Sequence, residues 1–143
     1  MKPEEPLFHD CAEVCGWDFA NAGKAASQFR AALRDLGIPP EVIRRVAIAA
    51  YEAEMNVVLY ARRGIMELSV TPREINLRVV DEGQGIPDIS LAMQEGYSTA
   101  SDEIREMGFG AGMGLPNIQK NADQFEIHSV VGQGTTLEIK VRL

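Results

Sequence analysis

The stretch from Pro40 to Ala61 constrains this chain more than any other. Val42, Ile43, Val46, Ala49, Ala50, Met55, Val57, Val58 and Leu59 leave it no broad polar face. The pattern predicts a long helix that is apolar on most sides, and such a helix must be buried against other elements. Pro39-Pro40 separates it from the preceding segment. Arg62-Arg63-Gly64 is expected to close it, with cations at the negative end of the helix. Against that background Glu52, Glu54 and Asn56 stand out as polar residues in an apolar helix.

The flanking segments supply what buries it. Residues 7–15 partly alternate apolar with polar and predict a strand. From Phe19 to Leu36 the apolar residues recur at three and four, which predicts a helix stopped by Gly37. Ile65–Val70 and Ile75–Val80 read as strands around a Thr71-Pro72-Arg73-Glu74 turn. Residues 88–114 read as a long lid, with a short helical piece near Ile89–Gln94; loops of this length are usually functional. Leu115 to Ala122 reads as a helix with Pro116 in its first turn. Phe125–Val131 and Thr135–Leu143 read as strands joined at Gly132-Gln133-Gly134. Helices and hairpins are grouped rather than alternating. The fold class expected is therefore α+β: a two-layer sandwich of a mostly antiparallel sheet with helices on one face. The 143 residues suffice for one domain spanning 7–143, behind a flexible stretch at 1–6.

Charge and composition narrow the partners. A formal net charge of −7 disfavours nucleic acid and anionic membranes. No apolar run approaches the ~20 residues of a membrane span, and the polar, proline-rich start is no signal peptide. A cytoplasmic protein is expected. Cys11 and Cys15, four apart on a strand, would stand about 13 Å apart, beyond disulfide reach. They read as half-buried apolar residues in a reducing compartment. His9 and His128 read as structural or surface residues.

Several residues have the chemistry of a site. Glu52 and Asn56 lie one turn apart on one helix face. An Asn oxygen suits Mg²⁺, and a Glu can align or deprotonate an attacking hydroxyl or water. Taken alone, the pair is more readily a solvated stripe. Asp81 precedes Gly83 and Gly85 at the expected end of a strand. Its carboxylate can accept from an exocyclic amine such as adenine N6, although an Asp-Gly turn explains it equally. Gly108, Gly110, Gly112 and Gly114 alternate, which stabilises neither helix nor strand. They offer successive backbone N–H groups leading into the Leu115 helix, a phosphate-binding arrangement. The cluster lacks the Gly-Lys-Ser/Thr ending of a P-loop and the βαβ context of a Rossmann turn. Thr135 or Thr136 is placed to bond a base or its bridging water.

The order of these motifs is more specific than any one of them. Glu52-x-x-x-Asn56, Asp81-x-Gly83-x-Gly85, Gly108-x-Gly110-x-Gly112-x-Gly114 and Gly134-Thr135 resemble the N, G1 and G2 boxes and final Gly-Thr of the GHKL, or Bergerat-fold, ATPases. Asn56-Val-Val-Leu-Tyr-Ala61, Gly96-Tyr-Ser-Thr99 and Gly110-Ala-Gly-Met-Gly-Leu-Pro116 are similar to the small bacterial anti-sigma-factor and stressosome switch serine/threonine kinases. The resemblance implies an ATP site made by Asn56, Asp81, Gly83, Gly85, Ile86, Gly108, Gly110, Gly112, Met113, Gly114, Leu115 and Thr135. It implies Mg²⁺ on Asn56, adenine on Asp81, and Glu52 as base toward a partner's Ser or Thr. The implied partner is a STAS-type anti-anti-sigma or scaffold protein, with a sigma factor or other regulator beyond it. The sequence leaves open a monomer or a homodimer formed through the first strand and helix. The alternative it leaves is an ATP-binding, sequestering module with little phosphotransfer. A sensor histidine kinase domain fits poorly, since no helix here offers a phospho-accepting His. Two departures stand out: Tyr60 where several anti-sigma kinases have His, and Gly110 where close relatives often have Arg, with Arg105 nearby.

Overall fold

The computed structural model describes residues 6–94 and 114–143. Strands β1 (Phe8–Cys15), β2 (Ala61–Val70), β3 (Glu74–Gly83), β4 (Gln124–Val130) and β5 (Gly134–Arg142) form one sheet in the order β1-β2-β3-β5-β4. Every pairing is antiparallel. Helices α1 (Lys24–Asp35), α2 (Pro40–Tyr60) and α4 (Gly114–Asn121) form the second layer, and α3 (Ile89–Ala92) is a single turn. The α+β sandwich is as expected. Gly108, Gly110, Gly112 and Met113, with most of the expected lid, lie outside the described residues.

Alternation along the strands decides which face is covered. Met66, Leu68, Leu77, Val79, Leu137, Ile139 and Val141 point inward and are at most 3 % exposed. They meet Val46, Ala49, Ala50, Ala53, Val57 and Val58 of α2, while Phe29 and Leu33 of α1 are fully buried. Each large side chain buried this way stabilises the fold by about 1.5–3 kcal/mol. No helix among the described residues is long and apolar enough to cross a membrane.

Several boundaries differ from the sequence reading, each for a local reason. Arg62 and Arg63 do not close α2. Ala61 already has extended backbone (φ −122°, ψ 163°), so helix passes directly into strand and the arginines sit in a bulge between Ala61 and Gly64. Gly64 is a strand residue kept bare by α2, because a Cβ there would stand 2.9 Å from a Val57 methyl. β3 runs on through Asp81 to Gly83, which pairs with Ala61. The helix read from Phe19 begins as a 3-10 turn (Phe19–Asn21), and α1 starts only at Lys24 after the left-handed Gly23. On β1, Ala12 and Val14 take the inner face, so Cys11 and Cys15 are exposed free thiols rather than half-buried ones.

The outer face is solvated. Glu126, His128 and Glu138 bring donor atoms within 4.8 Å of one another there. All three are exposed, Glu138 lies 3.5 Å from Arg78 and His128 lies 3.6 Å from Glu126. This is a surface charge network across three strands.

Candidate nucleotide site

Three polar side chains of α2 look similar in sequence and are separated by helix geometry. Residues two apart project in nearly opposite directions, so Glu54 faces α1 while Glu52 and Asn56 face α4. Glu54 is 2 % exposed. Its Oε2 accepts from the N–H of Gly23 (2.9 Å) and of Ala25 (3.3 Å), and its Oε1 accepts from the N–H of Ala26 (2.9 Å). Gly23 has no side chain to cap α1, so a carboxylate from another helix does so, at the end where negative charge is favoured. Glu54 is thereby committed to the fold.

Glu52 and Asn56 instead converge on the start of α4. A Cβ built on Gly114 would stand 3.3 Å from Glu52 Oε2 and 3.8 Å from Asn56 Oδ1. Asn117 Nδ2 donates to Glu52 Oε1 at 3.3 Å. The same face of α2, two turns earlier, presents Arg45. Its Nε donates to the Asn121 carbonyl at 3.0 Å and its Nη2 lies 3.3 Å from Asp123. The Arg142 N–H, and then Arg45, hold the Asp123 carboxyl below its ordinary range. The two helices thus run antiparallel, with Arg45 meeting Asn121, Glu52 meeting Asn117 and Asn56 meeting Gly114. Leu115 and Ile118 lie beneath, 7 % and 0 % exposed.

The second half of the site is the polar end of the inner sheet face. Asp81 follows Ile75, Leu77 and Val79 on that face of β3, so its carboxylate points under the helix layer. Oδ1 accepts from the Thr135 N–H at 3.1 Å. Burial pushes the Asp81 carboxyl above the ordinary aspartate range, against the opposing pull of the Thr135 and Gly83 N–H groups. Thr135 is buried, and its hydroxyl is 2.8 Å from that of Ser129, which accepts from the Ile86 N–H at 2.7 Å.

Two glycines make this corner close. Gly85 (φ +79°) rests against the Val130 carbonyl, 2.6 Å from where its Cβ would stand. Gly134 (φ +143°) leaves its Cβ position to the Asp81 carbonyl. A side chain at either would meet both steric contact and an unfavourable backbone conformation. Gly83 in turn backs onto the Tyr60 carbonyl, where a Cβ would be 3.0 Å away. Asp81 and its glycines therefore lie under the last turn of α2, one turn on from Asn56.

A model of the histidine kinase-like ATPase domain matches residues 18–141, a span that contains Glu52, Asn56, Asp81, Gly114 and Thr135. The chain belongs to that family. Its relatives include the serine/threonine-protein kinase RsbT of Bacillus subtilis (strain 168), 32 % identical over 126 residues that cover 85 % of this chain and 86 % of that one. They also include an anti-sigma F factor of Caldanaerobacter subterraneus subsp. tengcongensis, 33 % identical over 104 residues that cover 69 % of each chain. Another is an anti-sigma F factor of Priestia megaterium, 32 % identical over 106 residues covering 72 % of this chain and 64 % of that one.

Membership of the histidine kinase-like ATPase family implies ATP use. Of the residues singled out in sequence, the structure brings Glu52, Asn56, Gly114 and Leu115 to one helix junction, and Asp81, Gly83, Gly85, Ile86 and Thr135 to the adjoining sheet end. Three residues escaped the sequence reading. Glu54 looked equivalent to Glu52, and Asn117 was one polar residue in a short helix. Ser129 was an ordinary serine in a strand. Alternation inward with Phe125 and Ile127 was the available signal for Ser129. Asn117 had no signal before α4 was placed on α2. The cleft of about 310 Å³ between β1 and the start of α1, lined by Glu13, Asp18, Lys24 and Glu54 among others, shares no residue with the Glu52–Asn56–Gly114 junction or the Asp81 corner.

Proposed function

We propose that the chain is an ATP-dependent protein serine/threonine kinase of the anti-sigma or switch type, acting on a Ser or Thr of a STAS-type partner. One observation carries the reading: Glu52 and Asn56 meet the bare Gly114 at the start of α4 while Asp81 and Thr135 line the adjoining polar corner. A nucleotide laid between them has its base at Asp81 and its phosphates toward Gly114.

Each residue then has a role set by its chemistry. Asp81 accepts from the adenine amine, with the Thr135 N–H fixing its other contact. Gly83, Gly85 and Ile86 bring bare backbone alongside the base. The N–H groups opening α4 at Gly114 and Leu115 face the phosphates; Gly108, Gly110, Gly112 and Met113 are assigned to the lid over them. Asn56 Oδ1 lies toward Gly114 beside Glu52, and an amide oxygen suits a cation that takes one or two protein oxygens and keeps its waters. Asn56 would hold Mg²⁺ there, and the ion would neutralise charge on the β- and γ-phosphates. The partner's hydroxyl attacks the γ-phosphorus. Its proton passes to Glu52, the new O–P bond forms, and ADP leaves as the bridging bond breaks.

The names of the anti-sigma F factor relatives support a partner within sigma-factor regulation. The exposed free thiols of Cys11 and Cys15 suit a reducing cytoplasm, and the place of β1 at the end of the sheet among the described residues suits pairing with a second copy. The test is incubation with Mg·[γ-³²P]ATP and candidate STAS-type proteins. Label on the serine or threonine of one of them is the expected result. Saturable ATP binding with no label transferred to any would replace this reading with ATP-dependent sequestration.

A further inference from the structure

We infer that Asn117 is a positioning residue for Glu52, an inference that rests on the kinase reading above. Nothing in the motif pattern marks Asn117. It lies one turn into α4, outside the glycine cluster, and its side-chain amide is placed by the helix pair alone.

The geometry gives the two Glu52 oxygens different tasks. Oε1 accepts from Asn117 Nδ2 at 3.3 Å. Oε2 lies toward Gly114, 3.3 Å from where that residue's Cβ would stand. A carboxylate with one oxygen held keeps the other aimed, because rotation about the terminal torsion would break the donated bond. The oxygen left for a hydroxyl proton is therefore Oε2, the one beside Asn56 and the start of α4.

Asn117 is itself held. The Asn121 Nδ2 donates to the Asn117 carbonyl at 2.8 Å, and the Asn121 carbonyl accepts from Arg45 Nε at 3.0 Å. Arg45 and Glu52 belong to the same face of α2. The helix that supplies the base also fixes, through Arg45 and Asn121, the residue that orients it. Holding a group within a fraction of an ångström of its working position depends on such supporting contacts. The side chain must be a donor: aspartate here would set a second carboxylate against Glu52.

Two measurements test this. The first is single-turnover loss of the γ-phosphate from Mg·[γ-³²P]ATP, with water as acceptor, in N117A, N117D, E52A and the N117A/E52A pair. N117A should slow turnover about 10-fold and N117D about 100-fold, with ATP affinity within 2-fold of wild type. N117A should add nothing once Glu52 is gone. An equal N117A effect in both backgrounds, or one confined to ATP affinity, would overturn the inference. The second measurement needs no turnover: the Asn117 side-chain amide protons, followed by NMR, should move upfield in E52A. An unmoved resonance overturns the inference as well. If the resonance moves but neither N117A nor E52A slows turnover, the Asn117–Glu52 contact stands and the role of Glu52 as base is what fails.

Discussion

Replacing Glu54 by alanine should lower the thermal midpoint of the ligand-free protein by about 10 °C or more. Three N–H groups at the start of α1 depend on this one carboxylate. Without it the Ala25 and Ala26 donors lie under the helix layer with no acceptor and no ready water. Unsatisfied buried donors cost about 1–3 kcal/mol each, so the change costs about 3–5 kcal/mol out of a total near 5–15 kcal/mol. For a chain of this size each kcal/mol shifts the midpoint by about 2–4 °C. Glu54→Gln keeps the shape but turns an amide nitrogen toward at least one of the three donors, so it should fall between wild type and alanine. Thermal unfolding followed by circular dichroism measures both. An alanine variant melting within 2 °C of wild type would mean that α1 finds its cap elsewhere.

Glu52→Ala should do the reverse, sparing the fold and removing the chemistry. Glu52 is half-buried and meets Asn117, which can turn to water when the carboxylate is lost. Its proposed work is to take a proton from the attacking hydroxyl. Positioned general bases contribute about 10²–10⁴-fold, so transfer to a serine or threonine acceptor should fall by about 10²-fold or more with the melting midpoint little changed. ATP affinity should also hold, because the base end of the nucleotide is at Asp81. The two glutamates thus separate cleanly: one costs stability, the other turnover. Full transfer by Glu52→Ala would assign the proton to another group or to bulk water.

The two-layer fold was legible because α2 has no polar face and the strands alternate. Neither signal depends on partners distant in sequence. The Glu52–Asn56 spacing and the Asp81-x-Gly83-x-Gly85 run were legible for the same reason, since helix pitch and bare backbone are local properties. What escaped depends on register between elements. Nothing along α2 says that Glu52 turns to α4 and Glu54 to α1. Gly64 read as part of a helix stop and Gly83 as the end of a strand. Their actual reason is a neighbour: Val57 on Gly64, the Tyr60 carbonyl on Gly83. Ser129 and Thr135 became one network only when β4 paired with β5.

The central claim is that the corner around Asp81 holds the adenine of ATP. Asp81→Asn tests it with minimal change of shape. The amide oxygen can still accept from the Thr135 N–H, but the amide nitrogen now donates where an adenine amine must also donate. Losing a hydrogen bond to a charged acceptor costs about 1.5–3 kcal/mol, or about 10- to 100-fold in affinity. Stability should move the other way. Burial raises the Asp81 carboxyl above its unfolded value, so folding favours the protonated form. That contribution is fully present below the unfolded pKa and is lost as pH rises through the folded one. At neutral pH the ionised group is therefore a cost that asparagine removes, and the ligand-free variant should melt no lower than wild type. Calorimetric titration of wild type and Asp81→Asn with Mg·ATP at neutral pH, with melting curves of both ligand-free proteins, is the most direct measurement. The expected result is saturable binding by wild type and binding about 10- to 100-fold weaker by an equally stable variant. Binding by Asp81→Asn as tight as wild type would contradict the placement of the nucleotide.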